Sequence, residues 1–219
     1  MKYFLIVVFV LFSKFVFAID VANTARWDVG LDLTGMPCQN RSTATFGPFD
    51  YTDKTLRSKH LGIVEGYHFT DKVKKLQMDN GRSPVLNLNY TLSAWPNHHG
   101  ALKAVSSYQF LYSIQMKNKP LLTPVECYFK RAINFSRNDG VSYLLYARFL
   151  TKMKHYKEAD KIYNQTLELL PDNPAVLYNY GSLLFKMKAF KKAKEYADLA
   201  KKNGHPHKKL LSMLKNKGY

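Results

Sequence analysis

Displacing the sequence by 34 residues superimposes its C-terminal part on itself. Tyr143 falls on Leu177, Tyr146 on Tyr180, Ala147 on Gly181, Leu150 on Leu184, Tyr156 on Phe190, Ala159 on Ala193 and Tyr163 on Ala197. A unit of that length cannot bury its own apolar face and has to stack on a neighbour, which points to a chain of like modules. Within each unit the spacing predicts two antiparallel helices. Ala147 and Gly181 let the first helix approach the second, Ala159 and Ala193 do the same from the other side, and aromatic side chains fill the space between. Pro171 ends one unit, with Asn173 as N-cap and Pro174 at the first helical position of the next. Asn203-Gly204-His205-Pro206 reads as a stop followed by a restart, with Pro206 opening a last helix. In that helix Leu210, Leu211 and Leu214 would face inward and Lys208, Lys209, Lys215 and Lys217 outward.

These positions resemble the tetratricopeptide repeat, a 34-residue helix-turn-helix unit. The first unit matches at Tyr143, Tyr146, Ala147, Leu150, Tyr156, Ala159, Tyr163 and Pro171, with Thr166 where the second-helix alanine stands. The second matches at Leu177, Tyr180, Gly181, Leu184, Phe190, Ala193, Ala197 and Ala200. The resemblance implies an all-α fold, a short right-handed superhelical solenoid. Its parts are repeats at 140–173 and 174–207, a capping helix at 208–219 and a degenerate hairpin at 97–139 that supplies the third unit. The degenerate hairpin should consist of helices over 97–115 and 123–137, with Leu111 among its core residues and Asn97 as N-cap. The family binds partners along the concave face lined by the first helix of each pair. Those groove positions fall here on Leu144, Arg148, Thr151, Lys152, Tyr178, Asn179, Ser182, Phe185 and Lys186. The family's clamp for a peptide C-terminal carboxylate is echoed only in part, because Asn179 fits while Leu144 stands where a lysine belongs. An extended or helical segment of acidic character is the partner the resemblance implies.

Residues 19–96 form a lead-in without a repeat. Its first part is rich in turn residues and should wrap on the helices in extended form; Leu56 to Tyr67 suits a helix, Thr70 caps a short one through Leu76, and Val85 to Trp95 suits a helix or a strand, the helix being preferred because the rest of the chain offers no sheet partner. The segments GPFDY, YHFT, LNYTL and WPNHHGAL resemble the lead-in of small exported bacterial tetratricopeptide proteins.

Met1 to Ala18 has a lysine near its start, an apolar run from Phe4 to Phe12 and Val16-Phe17-Ala18 before a cleavage point, the pattern of a secretory signal peptide. Ser13 and Lys14 break the run short of the roughly twenty apolar residues a membrane span needs, so the mature chain is expected in the periplasm or outside the cell and not as an integral membrane protein. Export changes the meaning of the two cysteines. In an oxidising compartment a lone pair is more often bonded than free, which predicts a Cys38–Cys127 disulfide.

No HExxH, GxSxG, phosphate loop or GxGxxG motif occurs, so an enzyme reading has no residues to rest on and no cofactor is expected. His98, His99 and His68 could be imagined around a metal for a hydrolase. Adjacent helical residues point about 100° apart, however, and no metal is expected there. Lys and Arg number 33 against 16 Asp and Glu. Residues 141–219 hold 16 basic and 6 acidic residues, net +10, against 15 and 10, net +5, over 19–140. The basic face around Lys186, Lys188, Lys191, Lys192, Lys194, Lys201 and Lys202 suits an anionic polymer or membrane surface, or is simply a solvated face; nucleic acid is disfavoured by export. The reading that follows is a non-catalytic exported adaptor that binds another envelope or secreted protein, with the anionic surface as alternative.

Overall fold

A computed structural model describes residues 29–38, 45–115, 121 and 123–219. Residues 1–18, expected to be a signal peptide, lie outside these residues. Among them every regular element is helical, and the only strand-like pairings are isolated bridges at Leu31 with Pro37 and Asp79 with Arg82. The fold is all-α, a tetratricopeptide-like solenoid of helical hairpins preceded by a partly irregular lead-in. No described helix is long and apolar enough to cross a membrane.

The lead-in begins with α1 (Lys54–Leu56), capped by the Asp53 carboxylate, which accepts from the amides of Thr55 and Leu56. A π-helical stretch Arg57–Leu61 continues into α2 (Gly62–His68). Helix α3 (Asp71–Lys74) starts where expected, with the Thr70 hydroxyl accepting from the Val73 amide. In α4 (Pro84–Ala94) Ser83 supplies the cap and Pro84 takes the first turn, where a missing N–H costs nothing. Residues 47–50 run without regular structure into a turn at Tyr51-Thr52, and Phe49 and Tyr51 pack on Trp95, which is wholly buried. Gly47 makes this possible: its φ is +102°, and a Cβ there would lie 2.5 Å from the Ala94 carbonyl oxygen.

The hairpins follow as α5 (His99–Gln115) with α6 (Val125–Phe135), α7 (Gly140–Lys152) with α8 (Tyr156–Leu169), and α9 (Pro174–Lys186) with α10 (Phe190–Lys202). The last helix, α11 (Lys209–Lys215), buries Leu210 and Leu214. Pro206 lies in the loop three residues before it rather than at its start, so the restart comes later than the proline suggested. The small residues act as the repeat required. Ala147, Ala159 and Ala193 are fully buried, and a Cβ on Gly181 would come within 3.2 Å of the Ala193 carbonyl and 3.0 Å of Leu210. Asn173 caps α9 through the amides of Ala175 and Val176, at 3.0 and 3.2 Å. First helices α5, α7 and α9 touch in sequence to form one layer, and each second helix packs against the first helix that follows. One core runs from Phe69, Val73, Leu88 and Leu92 of the lead-in to Leu214. The lead-in is thereby built into the stack. Leu111, expected in the core, is exposed.

Each 34-residue unit turns between its helices through a lysine at positive φ, Lys154 at 66° and Lys188 at 63°. The following amides close the turn, His155 N donating to Leu150 O and Ala189 N to Leu184 O, both at 2.9 Å. A side chain in this left-handed conformation costs about 1–2 kcal/mol, partly offset in glycine by a larger unfolded-state entropy. Lys154→Gly with Lys188→Gly should therefore raise the unfolding free energy by roughly 1–2 kcal/mol in total, read from urea denaturation. Unchanged or lower stability would show that these lysines are held by contacts stronger than the strain.

Candidate functional site

The repeat pattern directs attention to the layer of first helices. Lys103, Ser106 and Ser107 on α5 stand three and four residues apart and so share one face; Leu145, Arg148, Phe149 and Lys152 on α7 do the same. Together these seven residues line a cleft of about 180 Å³ between the two helices. Three carry positive charge and none of the described lining is acidic. The Lys152 ammonium lies 3.4 Å from the centre of the Phe110 ring. Burial, and then the charge of Arg148, hold the Lys152 pKa below the ordinary lysine value. An anion seated here would relieve that repulsion.

A second cleft, of about 410 Å³, shares Lys103 and Ser107 with the first and extends it towards the lead-in, where Glu65, Phe69, Lys74 and His98 line it. Its one carboxylate is already engaged, since Glu65 Oε1 lies 3.1 Å from His98 Nε2. That hydrogen bond holds the Glu65 carboxyl below its usual pKa against the opposing effect of burial. At the far end Tyr178 lines a third cleft, of about 610 Å³, with Pro206, His207, Lys208 and Lys209.

The residues implied by the family's groove divide by register. Arg148 and Lys152 line the first cleft, and Lys186 is exposed on α9. Leu144 and Thr151 are instead buried, each 8% exposed, and the Thr151 hydroxyl donates to the Ala147 carbonyl at 2.8 Å. They lie on the packed stripe of α7, and its neighbour Leu145 takes the open position. Tyr178 is stacked on His205, with ring centres 4.0 Å apart. Asn179 and Ser182 turn their side chains back to carbonyls of their own helix, Ala175 O at 2.6 Å and Tyr178 O at 2.9 Å. Phe185 packs edge-on against Phe190. Lys103, Ser106 and Ser107 were missed by sequence reasoning, although their i, i+3, i+4 spacing was a usable signal.

The three histidines face three different partners. His98 bonds Glu65, and its Nδ1 accepts from the Ala101 amide at 3.0 Å, so His98 caps α5 in place of Asn97. His99 Nε2 meets both oxygens of Asp139, at 3.0 and 2.9 Å. His68 lies 3.2 Å from Asn87 Oδ1 and stacks on Tyr90. Among the described residues no group of three or more His, Cys, Asp or Glu could hold a metal ion.

Comparison with family models matches residues 150–217 to the tetratricopeptide repeat. Over those residues the chain is similar to tetratricopeptide repeats. The match starts near the end of α7 and runs through α8, α9 and α10 to the residues just after α11. A tetratricopeptide stack supports a role in protein–protein interaction. No curated protein matches the chain.

Proposed function

We propose that the chain is an exported, non-catalytic adaptor that grips an acidic segment of another envelope or secreted protein on its first-helix face. The observation that carries this reading is the cleft of Lys103, Arg148 and Lys152, three cations crowded on a partly apolar surface. The aromatic and aliphatic walls from Phe149 and Leu145 suit a segment in which acidic and apolar residues alternate. The Cys38–Cys127 disulfide fits an oxidising compartment and so supports export. A photo-crosslinker at Ser107 should capture one dominant polypeptide in cells. Arg148→Glu with Lys152→Glu should cut its recovery by about tenfold or more, since like charges then face the acidic segment. Equal recovery by the double variant would overturn the reading.

A second reading assigns binding to the basic C-terminal face. It is favoured by Lys208 and Lys209 at the Tyr178 cleft, with Lys201 and Lys202 exposed nearby. This alternative requires retention on anionic vesicles or polymer that falls steeply with salt, and a flat salt response would end it.

A further inference from the structure

A further hollow lies on the other side of the stack. Helices α6 and α8, the second helices of successive hairpins, stand apart there over α7 and leave a cleft of about 600 Å³. That volume lies within the roughly 300–1,000 Å³ typical of small-molecule sites. Its walls and floor are apolar and aromatic: Ile133 from α6, Tyr143, Tyr146 and Leu150 from α7, and Ile162 from α8. Tyr146 and Leu150 are buried, whereas Ile133, Tyr143 and Ile162 are half-buried, so an apolar body could rest on them. Charge is confined to the edge, where Lys130, Arg137 and Lys161 outnumber the single carboxylate of Glu158. Arg137 and Lys161 are exposed, one on each side of the opening.

The remaining wall is built by the lead-in. Val29 lines the cleft. The strap that follows it is held down by the Cys38–Cys127 disulfide, by the Leu33 amide donating to Glu126 Oε1 at 2.9 Å and by the Lys130 ammonium donating to the Leu31 carbonyl. A tetratricopeptide hairpin alone would not enclose this space. At its base the Tyr146 phenol is kept protonated by burial and by the nearby carboxylates of Glu126 and Glu158, and so stays a hydrogen-bond donor.

We infer that this cleft is a binding site for a small anionic amphiphile, a compact aryl or acyl group carrying one carboxylate or sulfonate. The apolar body would lie on Tyr143, Ile133 and Ile162, with its anionic head between Arg137 and Lys161. The charge balance at the opening selects the head and the floor selects the body; a purely ionic ligand would waste the floor and a neutral one the rim.

The test uses 1-anilinonaphthalene-8-sulfonate as fluorescent probe on the purified chain, displaced by decanoate or by decanol. Saturable binding at one site is expected, with decanoate displacing the probe at about tenfold lower concentration than decanol. Arg137→Glu with Lys161→Glu, both at exposed positions, should leave the melting curve unchanged, weaken the probe about tenfold and abolish the preference for decanoate. Tyr143→Ser should weaken probe and decanol alike, whereas Arg148→Glu with Lys152→Glu should change neither, which separates this site from the first-helix cleft. Non-saturable binding, or binding indifferent to both the rim and the floor variants, would overturn the inference.

Discussion

Replacing Cys38 and Cys127 together by serine is expected to lower the unfolding free energy by about 4–5 kcal/mol, the largest effect of any change proposed for this chain. The bond joins residues 89 apart in sequence and is buried at both ends. In the unfolded chain it closes a loop of that length, and the entropy so removed grows with the logarithm of loop size. The strap is also ordered on its own account. Asp32 Oδ1 accepts from the Thr34 amide, the Thr34 hydroxyl and the Met36 amide, and Cys38 N donates to Gly30 O. The linkage therefore fastens a preformed loop to α6 rather than forcing one. Since small domains are stable by only about 5–15 kcal/mol, the loss takes a large share of the total. Chemical denaturation of the oxidised protein beside the double variant measures it directly. A difference below about 1 kcal/mol would mean that the denatured chain holds these residues together without the bond.

Asp139→Ala should cost about 3–5 kcal/mol, because it removes the charged centre of a buried network and strands its partners. The Asp139 side chain is only 2% exposed. Its Oδ1 caps α7 through the amides of Val141 and Ser142, and its Oδ2 accepts from the Ser142 hydroxyl at 2.7 Å and from Asn97 Nδ2 at 3.1 Å, while both oxygens meet His99. Asn97 also donates to Asp50 and accepts from the Tyr51 amide. One carboxylate thus ties the lead-in, the start of α5 and the start of α7 together. Asp139→Asn keeps an oxygen for the helix cap and should lose less, about 1–2 kcal/mol.

Burial raises the Asp139 pKa, but the hydrogen bond and charge of His99, with Ser142 and Asn97, outweigh it and leave the net value below the ordinary carboxylate range. A depressed folded-state pKa means stability fully present above about pH 4 and lost as pH falls through the folded value. The acid limb of the stability profile should accordingly flatten in Asp139→Ala. An acid limb as steep as that of the parent chain would assign it to other carboxylates, such as Asp50 and Glu65, whose pKa values are also lowered.

Most helix ends were legible where a local signal marked them, the start of α11 after Pro206 being the exception. Asn173 with Pro174, Thr70, and Gly204 at φ +85° all act where the sequence placed them. Errors arose where two neighbouring residues could do the same work. Asn97 and His98 both can cap a helix; the tertiary contacts of Asn97 with Tyr51, Asp50 and Asp139 took the asparagine and left the cap to His98. Leu144 and Leu145 differ by 100° around α7, and only the position of α5 decides which of them is open.

By itself the sequence determined the repeat, the hairpin of helices in each unit, the capping helix and the pairing of the two cysteines. Each of these follows from periodicity, from the size of a side chain at a contact, or from there being a single possible partner. Tertiary structure alone decided which cations share a cleft, that the three histidines part company, and that a strap from the lead-in walls a hollow between α6 and α8. Those are distances between segments tens of residues apart, set by how far one helix is held from another, and no local pattern encodes them.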